Sequence, residues 1–97
     1  MLTFEKVLDV FKDYLAADGM YEIVMTSHGY TVLEWDAQLG DWTGARRCAT
    51  PQDMVDTLLY GYTGYLEYQA TLARRELTKD DLTKIETQRK NILEKLQ

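Results

Sequence analysis

The sequence of 97 residues contains one cysteine, one histidine and one proline. A single cysteine, Cys48, excludes an internal disulfide and a cysteine-based metal cluster, and we expect it to be a small core residue. His28 stands between Ser27 and Gly29, a pattern typical of a turn rather than of a catalytic base. No second histidine is available as a metal ligand, so the sequence predicts neither a metal site nor a cofactor.

Patterns for phosphate binding and for carboxylate chemistry are also missing. The sequence has neither G-x-x-x-x-G-K-[ST] nor G-x-G-x-x-G. Glu34 and Asp36 point the same way on one predicted strand, but a catalytic carboxylate pair needs a defined separation within a cleft. A chain this short rarely encloses such a cleft. We therefore predict that the protein is not an enzyme.

The sequence has no apolar run long enough to cross a membrane. Charged residues interrupt the first fifteen positions, where a secretory signal would need an apolar segment (Glu5, Lys6, Asp9, Lys12 and Asp13). The sequence therefore predicts a cytoplasmic protein without a membrane partner.

The net charge of −5 is distributed unevenly along the chain. Residues 1–44 contain eight acids and two bases, whereas residues 45–97 contain eight acids and nine bases. No dense Lys/Arg surface exists to replace phosphate counterions, so direct nucleic-acid binding is not expected. The acidic half could face a basic protein or could be a solubilising surface.

Three helices and three strands are predicted. Thr3 is a suitable N-cap for a helix over residues 3–18, whose apolar residues recur at helical spacing and which Gly19 would end in the left-handed conformation. Residues 20–49 show strand alternation, with a turn at Gly29. Gly44 and the following arginines interrupt the third strand. Because the connections are short, we expect an antiparallel meander.

The clearest local pattern is Thr50-Pro51-Gln52-Asp53, which combines a capping threonine, a proline at the first helical position and an acid at N3. It opens a helix over residues 51–75, and Thr78 caps another over residues 79–96. The first of these is longer than the sheet, so its far end should pack on the last helix, with Leu72 opposite Leu82 and Arg89 near Tyr65 or Leu66.

The predicted architecture is a single α+β domain, residues 1–97, in the order α-β-β-β-α-α. The first two helices are expected on one face of an antiparallel three-stranded sheet, and the last two helices form a C-terminal hairpin.

Seven residues form the candidate interaction surface: Tyr60, Gly61, Gly64, Tyr68, Arg89, Trp35 and Trp42. Mid-helix glycine costs about 1 kcal/mol relative to alanine, so two in one helix suggest the close approach of another helix or of a partner chain. The alternative is that such a helix tolerates the two glycines and that Tyr62 and Tyr65 simply fill the core. Arg89, on an apolar helix face, is expected to stack on the rings of Tyr62 and Tyr65 or to mark a seam that is open to a second subunit.

The segments His28-Gly29-Tyr30, Leu33-Glu34-Trp35-Asp36, Thr50-Pro51 and Arg74-Arg75, in this order of elements, are similar to uncharacterised small acidic proteins of bacterial mobile elements and phages. The element order also resembles that of some anti-CRISPR inhibitors, in which an acidic face imitates DNA. The resemblance implies no functional residue.

The sequence leaves three functional hypotheses open. The first is a non-catalytic protein–protein interaction module, self-associating as a homodimer through the C-terminal hairpin or binding another protein. The second is an acidic inhibitor that occupies the nucleic-acid-binding surface of a partner. The third is a small enzyme or ligand carrier with a pocket between sheet and hairpin.

Overall fold

The computed structural model describes all 97 residues and has the predicted element order. The helices are α1 (Phe4–Ala17), α2 (Pro51–Thr71) and α3 (Lys79–Lys95). The strands are β1 (Tyr21–Thr26), β2 (Gly29–Asp36) and β3 (Asp41–Arg47), which form an antiparallel sheet in the order β1-β2-β3. The α+β class and the α-β-β-β-α-α topology predicted from the sequence are confirmed.

The core lies between the helices and one face of the sheet. Its largest fully buried side chains are Phe11, Met54, Leu58 and Val7, and Val32 is the buried residue of the central strand. Other members of the cluster come from the three helices and from the residue that follows β3 (Tyr14, Val55, Ile92 and Cys48). Cys48 is buried as predicted, and burial raises the pKa of its thiol.

Strand register decides which side chains face the helices. Ile23 pairs with Val32, so both point toward the core, whereas Trp35 pairs with Trp42 on the opposite face after a bulge between Glu34 and Trp35. Gly29 takes a positive φ of 107° in the β1–β2 turn, as the sequence predicts.

All three predicted N-caps are present. Thr3 accepts a hydrogen bond from the backbone N–H of Lys6, and Thr50 and Thr78 each form a complete capping box with the acid three residues later. These boxes satisfy N–H groups that would otherwise have no partner in the helix.

The end of α1 differs from the prediction. Gly19 is not in the left-handed conformation; the helix ends because Asp18 turns to an extended backbone. The Asp18 carboxylate accepts one hydrogen bond from the backbone N–H of Met20 and another from the Tyr14 hydroxyl at 2.9 Å. A side-chain acceptor, not glycine flexibility, therefore terminates this helix.

α2 ends at Thr71, four residues earlier than predicted. Leu72 and Ala73 both take positive φ, 51° and 58°, and so leave the helical path. Arg75 stabilises this exit because its guanidinium donates to the carbonyl of Ala70 at 2.7 Å and to both carboxylate oxygens of Asp81. One arginine thus ties the end of α2 to the start of α3.

α3 folds back on α2, as expected, and also contacts α1. It buries Ile85 and Ile92. Leu72 and Leu82, which the sequence predicts to face each other, are both about half exposed, at 48% and 51%. The early end of α2 shortens the seam that the two leucines would have closed.

Candidate protein-interaction surface

A cleft of about 1040 Å³ lies along α2. Besides α2 it is lined by the end of α1 and the start of β1, and α3 contributes one residue, Arg89. Five of the seven residues predicted for the interaction surface line it together: Tyr60, Gly61, Gly64, Tyr68 and Arg89. The structure therefore brings the Tyr60–Tyr68 segment and Arg89 into one concave surface, which we call the tyrosine cleft.

The two glycines of α2 have different surroundings. A methyl group at Gly61 would lie 2.8 Å from the Tyr14 hydroxyl and 3.0 Å from a ring carbon of Tyr21. Gly61 is therefore required by the close approach of α1 and β1 within the molecule. A methyl group at Gly64 would meet nothing within 4 Å. Gly64 is thus a helical glycine with no packing reason inside the fold.

Tyr60 and Tyr68 flank Gly64 on the same side of the helix, four residues before and four residues after it. At 1.5 Å per residue their Cα atoms are about 12 Å apart along the helix axis. Tyr60 is 80% exposed and Tyr68 is 55% exposed, so both rings project into solvent. Helical spacing places Tyr60 opposite the apolar side of α2 and so predicts its exposure, which the structure confirms. Gly64 leaves the helix backbone open between the positions of these two exposed tyrosines, and we call this gap the notch.

The tyrosine cleft carries more acids than bases. Asp18, Asp56 and Glu67 line it, and its one base, Arg89, is 3.2 Å from Glu86. The Asp18 carboxylate accepts a hydrogen bond from the Tyr14 hydroxyl, and the Asp56 carboxylate accepts one from the side-chain amide of Gln52. Glu67 uses its backbone carbonyl to accept from Thr71, and its carboxylate has no ion pair in the chain. The cleft is consequently negative, with one free carboxylate.

Arg89 does not stack on Tyr62 or Tyr65. Those rings pack edge-on against Tyr14, with ring centroids 5.3 and 5.6 Å from it, and Arg89 donates to Glu86 instead. The Nε atom of Arg89 is buried and has no hydrogen-bond partner. The stacking alternative is therefore wrong, whereas the alternative of a seam open to a second subunit stays a prediction.

Trp35 and Trp42 lie elsewhere. Their rings pack on each other, with centroids 4.9 Å apart and planes at 72°, on the face of the sheet opposite the core. Neither residue lines the tyrosine cleft, so the structure divides the candidate interaction surface in two, and their place in a binding face stays a prediction. They form a second aromatic surface, separate from the tyrosine cleft.

A cluster of phenols, the buried Tyr14 and the partly buried Tyr21 and Tyr62, lies beside the cleft. Burial, together with the hydrogen bond to Asp18, raises the pKa of Tyr14 far above its ordinary value. Burial also raises the pKa of Tyr21, helped by the charge of Glu34, and the pKa of Tyr62. These groups stay protonated at neutral pH and act as rigid packing elements rather than as acids or bases.

Sequence reasoning missed the acidic side of the cleft. Asp56 and Glu67 lie eleven residues apart, which is three helical turns and therefore the same side of α2 as Tyr60. That spacing was available in the sequence. Asp18 could not be found in this way, because only the packing of α1 beside α2 brings it to the cleft.

No three His, Cys, Asp or Glu side chains lie together as a metal site requires. None of the helices combines the length and the apolar character that crossing a lipid bilayer demands.

These features define a small α+β domain with a concave, tyrosine-lined surface along its central helix. Comparison of the chain with protein-family models, with curated proteins and with solved structures found no match.

Proposed function

We propose that the protein is a non-catalytic protein-interaction module and that the tyrosine cleft is its contact surface. The observation that carries the proposal is Gly64, a helical glycine between two exposed tyrosines with nothing inside the fold to explain it. A glycine that the fold does not need costs about 1 kcal/mol in a helix interior, and the close approach of a partner is a physical reason to tolerate that cost.

The exposed tyrosines support the same proposal. Tyrosine is enriched in protein interfaces because it contributes a large contact area with few rotatable bonds, and its hydroxyl can remain hydrated. A volume of about 1040 Å³ is at the upper end of ligand pockets, and the cleft is an open groove along a helix rather than an enclosed cavity. Such a shape suits a segment of a protein better than a small substrate.

The test is affinity capture from bacterial extract with three versions of the chain. The wild type is compared with Tyr60→Ser/Tyr68→Ser, which removes both rings, and with Leu39→Ser as a matched control. Leu39 is 70% exposed and lies in the β2–β3 turn outside the cleft. We expect a protein that the wild type and the control retain and the double variant loses. Identical captured proteins for all three versions would contradict the proposal.

Self-association through the C-terminal hairpin is a second candidate, since Leu72, Leu82 and Leu93 remain partly exposed there. Light scattering of the purified chain tests it. A dimer that dissociates in Leu82→Ser would place the contact surface on the hairpin. A monomer at all concentrations would leave a different protein as the partner.

The acidic-inhibitor alternative is supported by exposed carboxylates at Glu5, Asp9 and Asp13, which recur every four residues along the outside of α1. Asp9 is already paired with Lys12 at 3.4 Å, which weakens the negative row. An inhibitor of this kind would compete with DNA for the captured partner. Capture that persists in excess DNA would reject it.

A further inference from the structure

We infer that the notch at Gly64 receives a lysine or arginine side chain from a basic segment of the partner protein. The inference rests on the proposed function and adds the chemistry of the partner. It is argued from charge complementarity, since the acids that line the tyrosine cleft outnumber its one base, and that base is neutralised by Glu86.

The notch offers both groups that bind a cation. The faces of Tyr60 and Tyr68 attract a cation through their ring quadrupoles, and arginine in particular stacks on such rings. Glu67 lies one helical turn from Gly64 and supplies negative charge beside the notch, and Asp56, about 12 Å before Gly64 along the helix axis, adds to the negative charge of the cleft. The Glu67 carboxylate is not paired within the chain. A basic side chain would therefore find aromatic faces and a free carboxylate together.

Gly64 is essential to this geometry. With a side chain at this position, the space between the two rings would be filled, and an incoming chain could not reach the helix backbone. Because a methyl group at Gly64 meets no atom of the fold within 4 Å, the space is open to an external group. A second copy of the chain is the less favourable occupant, since each copy carries a net charge of −5.

The probes for the test are two fluorescein-labelled peptides of six residues, one of arginine and one of glutamate, used in fluorescence polarisation at moderate salt. A negative protein attracts any basic peptide weakly, so the design compares variants of equal charge. Asp56→Asn/Glu67→Gln removes two carboxylates that line the tyrosine cleft. Asp9→Asn/Asp13→Asn removes two from α1, outside the cleft. Gly64→Leu fills the notch without any change of charge.

We expect the arginine peptide to bind the wild type and to bind about tenfold more weakly to Asp56→Asn/Glu67→Gln and to Gly64→Leu. Asp9→Asn/Asp13→Asn should bind within about twofold of the wild type, because screening limits the influence of distant charges. The glutamate peptide should not bind. Gly64→Leu should remain folded, since the position is open, and its melting curve verifies this.

Equal losses in the two charge variants would overturn the inference and show general electrostatic attraction. Unchanged binding by a folded Gly64→Leu, or no binding of the arginine peptide to the wild type, would also overturn it. These outcomes leave the proposed function standing, because loss of the captured protein in Tyr60→Ser/Tyr68→Ser is measured independently of any basic peptide. If the wild type captures no protein that Tyr60→Ser/Tyr68→Ser loses, both the proposed function and this inference are rejected.

Discussion

Alanine at the two glycines of α2 should change stability in opposite directions, although Gly61 and Gly64 are only three residues apart. Gly64→Ala adds a methyl group in open space, with nothing within 4 Å. The helix then gains about 0.5–1 kcal/mol, because alanine loses less conformational freedom on folding than glycine does. For a domain of this size each kcal/mol corresponds to about 4–8 °C, so we expect the melting temperature to rise by about 2–8 °C.

Gly61→Ala has the same effect on helix propensity but meets Tyr14 and Tyr21 at 2.8 and 3.0 Å. The Tyr14 ring cannot move away freely, because its hydroxyl donates to Asp18 and the ring lies between those of Tyr62 and Tyr65. Overpacking of this kind costs about 1–3 kcal/mol, which exceeds the gain in helix propensity. We therefore expect a net destabilisation of about 1 kcal/mol and a fall of about 4–8 °C.

The assay is thermal unfolding followed by circular dichroism, with the wild type, both single variants and the double variant measured in the same buffer. The two positions lie one helical turn apart, so the double variant measures any coupling between them. If Gly61→Ala stabilised the protein as much as Gly64→Ala, the close approach of α1 and β1 to the helix would be refuted. A destabilising Gly64→Ala would refute the open notch.

Three further predictions concern caps and titrating groups. Thr50→Ala removes the side-chain cap of α2 and should cost about 1 kcal/mol of unfolding free energy in urea titration, with an unchanged m-value. The hydrogen-bonded guanidinium of Arg75 holds the pKa of Asp81 well below its ordinary value of 3.8. Arg75→Ala should therefore lower the melting temperature at neutral pH. The difference in melting temperature from the wild type should shrink as pH falls below about 4, because Asp81 then protonates in the unfolded chain. A melting difference that is independent of pH would argue against this ion pair. Burial raises the pKa of Tyr14, so its protonated form is favoured by folding and this stabilisation is lost as pH rises above the ordinary tyrosine value of 10.0. Tyr14→Phe loses the hydrogen bond to Asp18 and should lower the free energy of unfolding by about 1 kcal/mol at neutral pH. It should also make alkaline unfolding, followed by tyrosinate absorbance, less steep. An alkaline transition identical to that of the wild type would contradict the role of this phenol.

The cleft could be anticipated only partly from the sequence. Helical spacing places Tyr60, Gly64 and Tyr68 on one side of α2, and the cost of mid-helix glycine marks that side as unusual. The same reasoning treated Gly61 and Gly64 alike. Only the structure separates them, because the approach of Tyr14 and Tyr21 is a contact between elements that lie far apart in the chain.

Arg89 illustrates the same limit. Its place on an apolar face predicts a half-buried arginine near α2, and it does line the cleft. Its partner was predicted from the hairpin register to be a tyrosine ring. Tyr14 takes both rings instead, and Glu86, one turn earlier on α3, is the nearest carboxylate. The spacing of residues along α3 cannot predict that Tyr14, a residue of another helix, packs on these rings.

The elements themselves were determined by the sequence alone. Caps, turn glycines and the change from helical to alternating periodicity depend on residues within a few positions of one another, so the order and approximate bounds of six elements follow from local physics. The helix ends that depend on contacts outside the helix could not be predicted from these local patterns. α2 stops at Thr71 because Arg75 ties Ala70 to Asp81, and the tyrosine cleft exists because α1 and β1 pack beside the helix that carries Gly64.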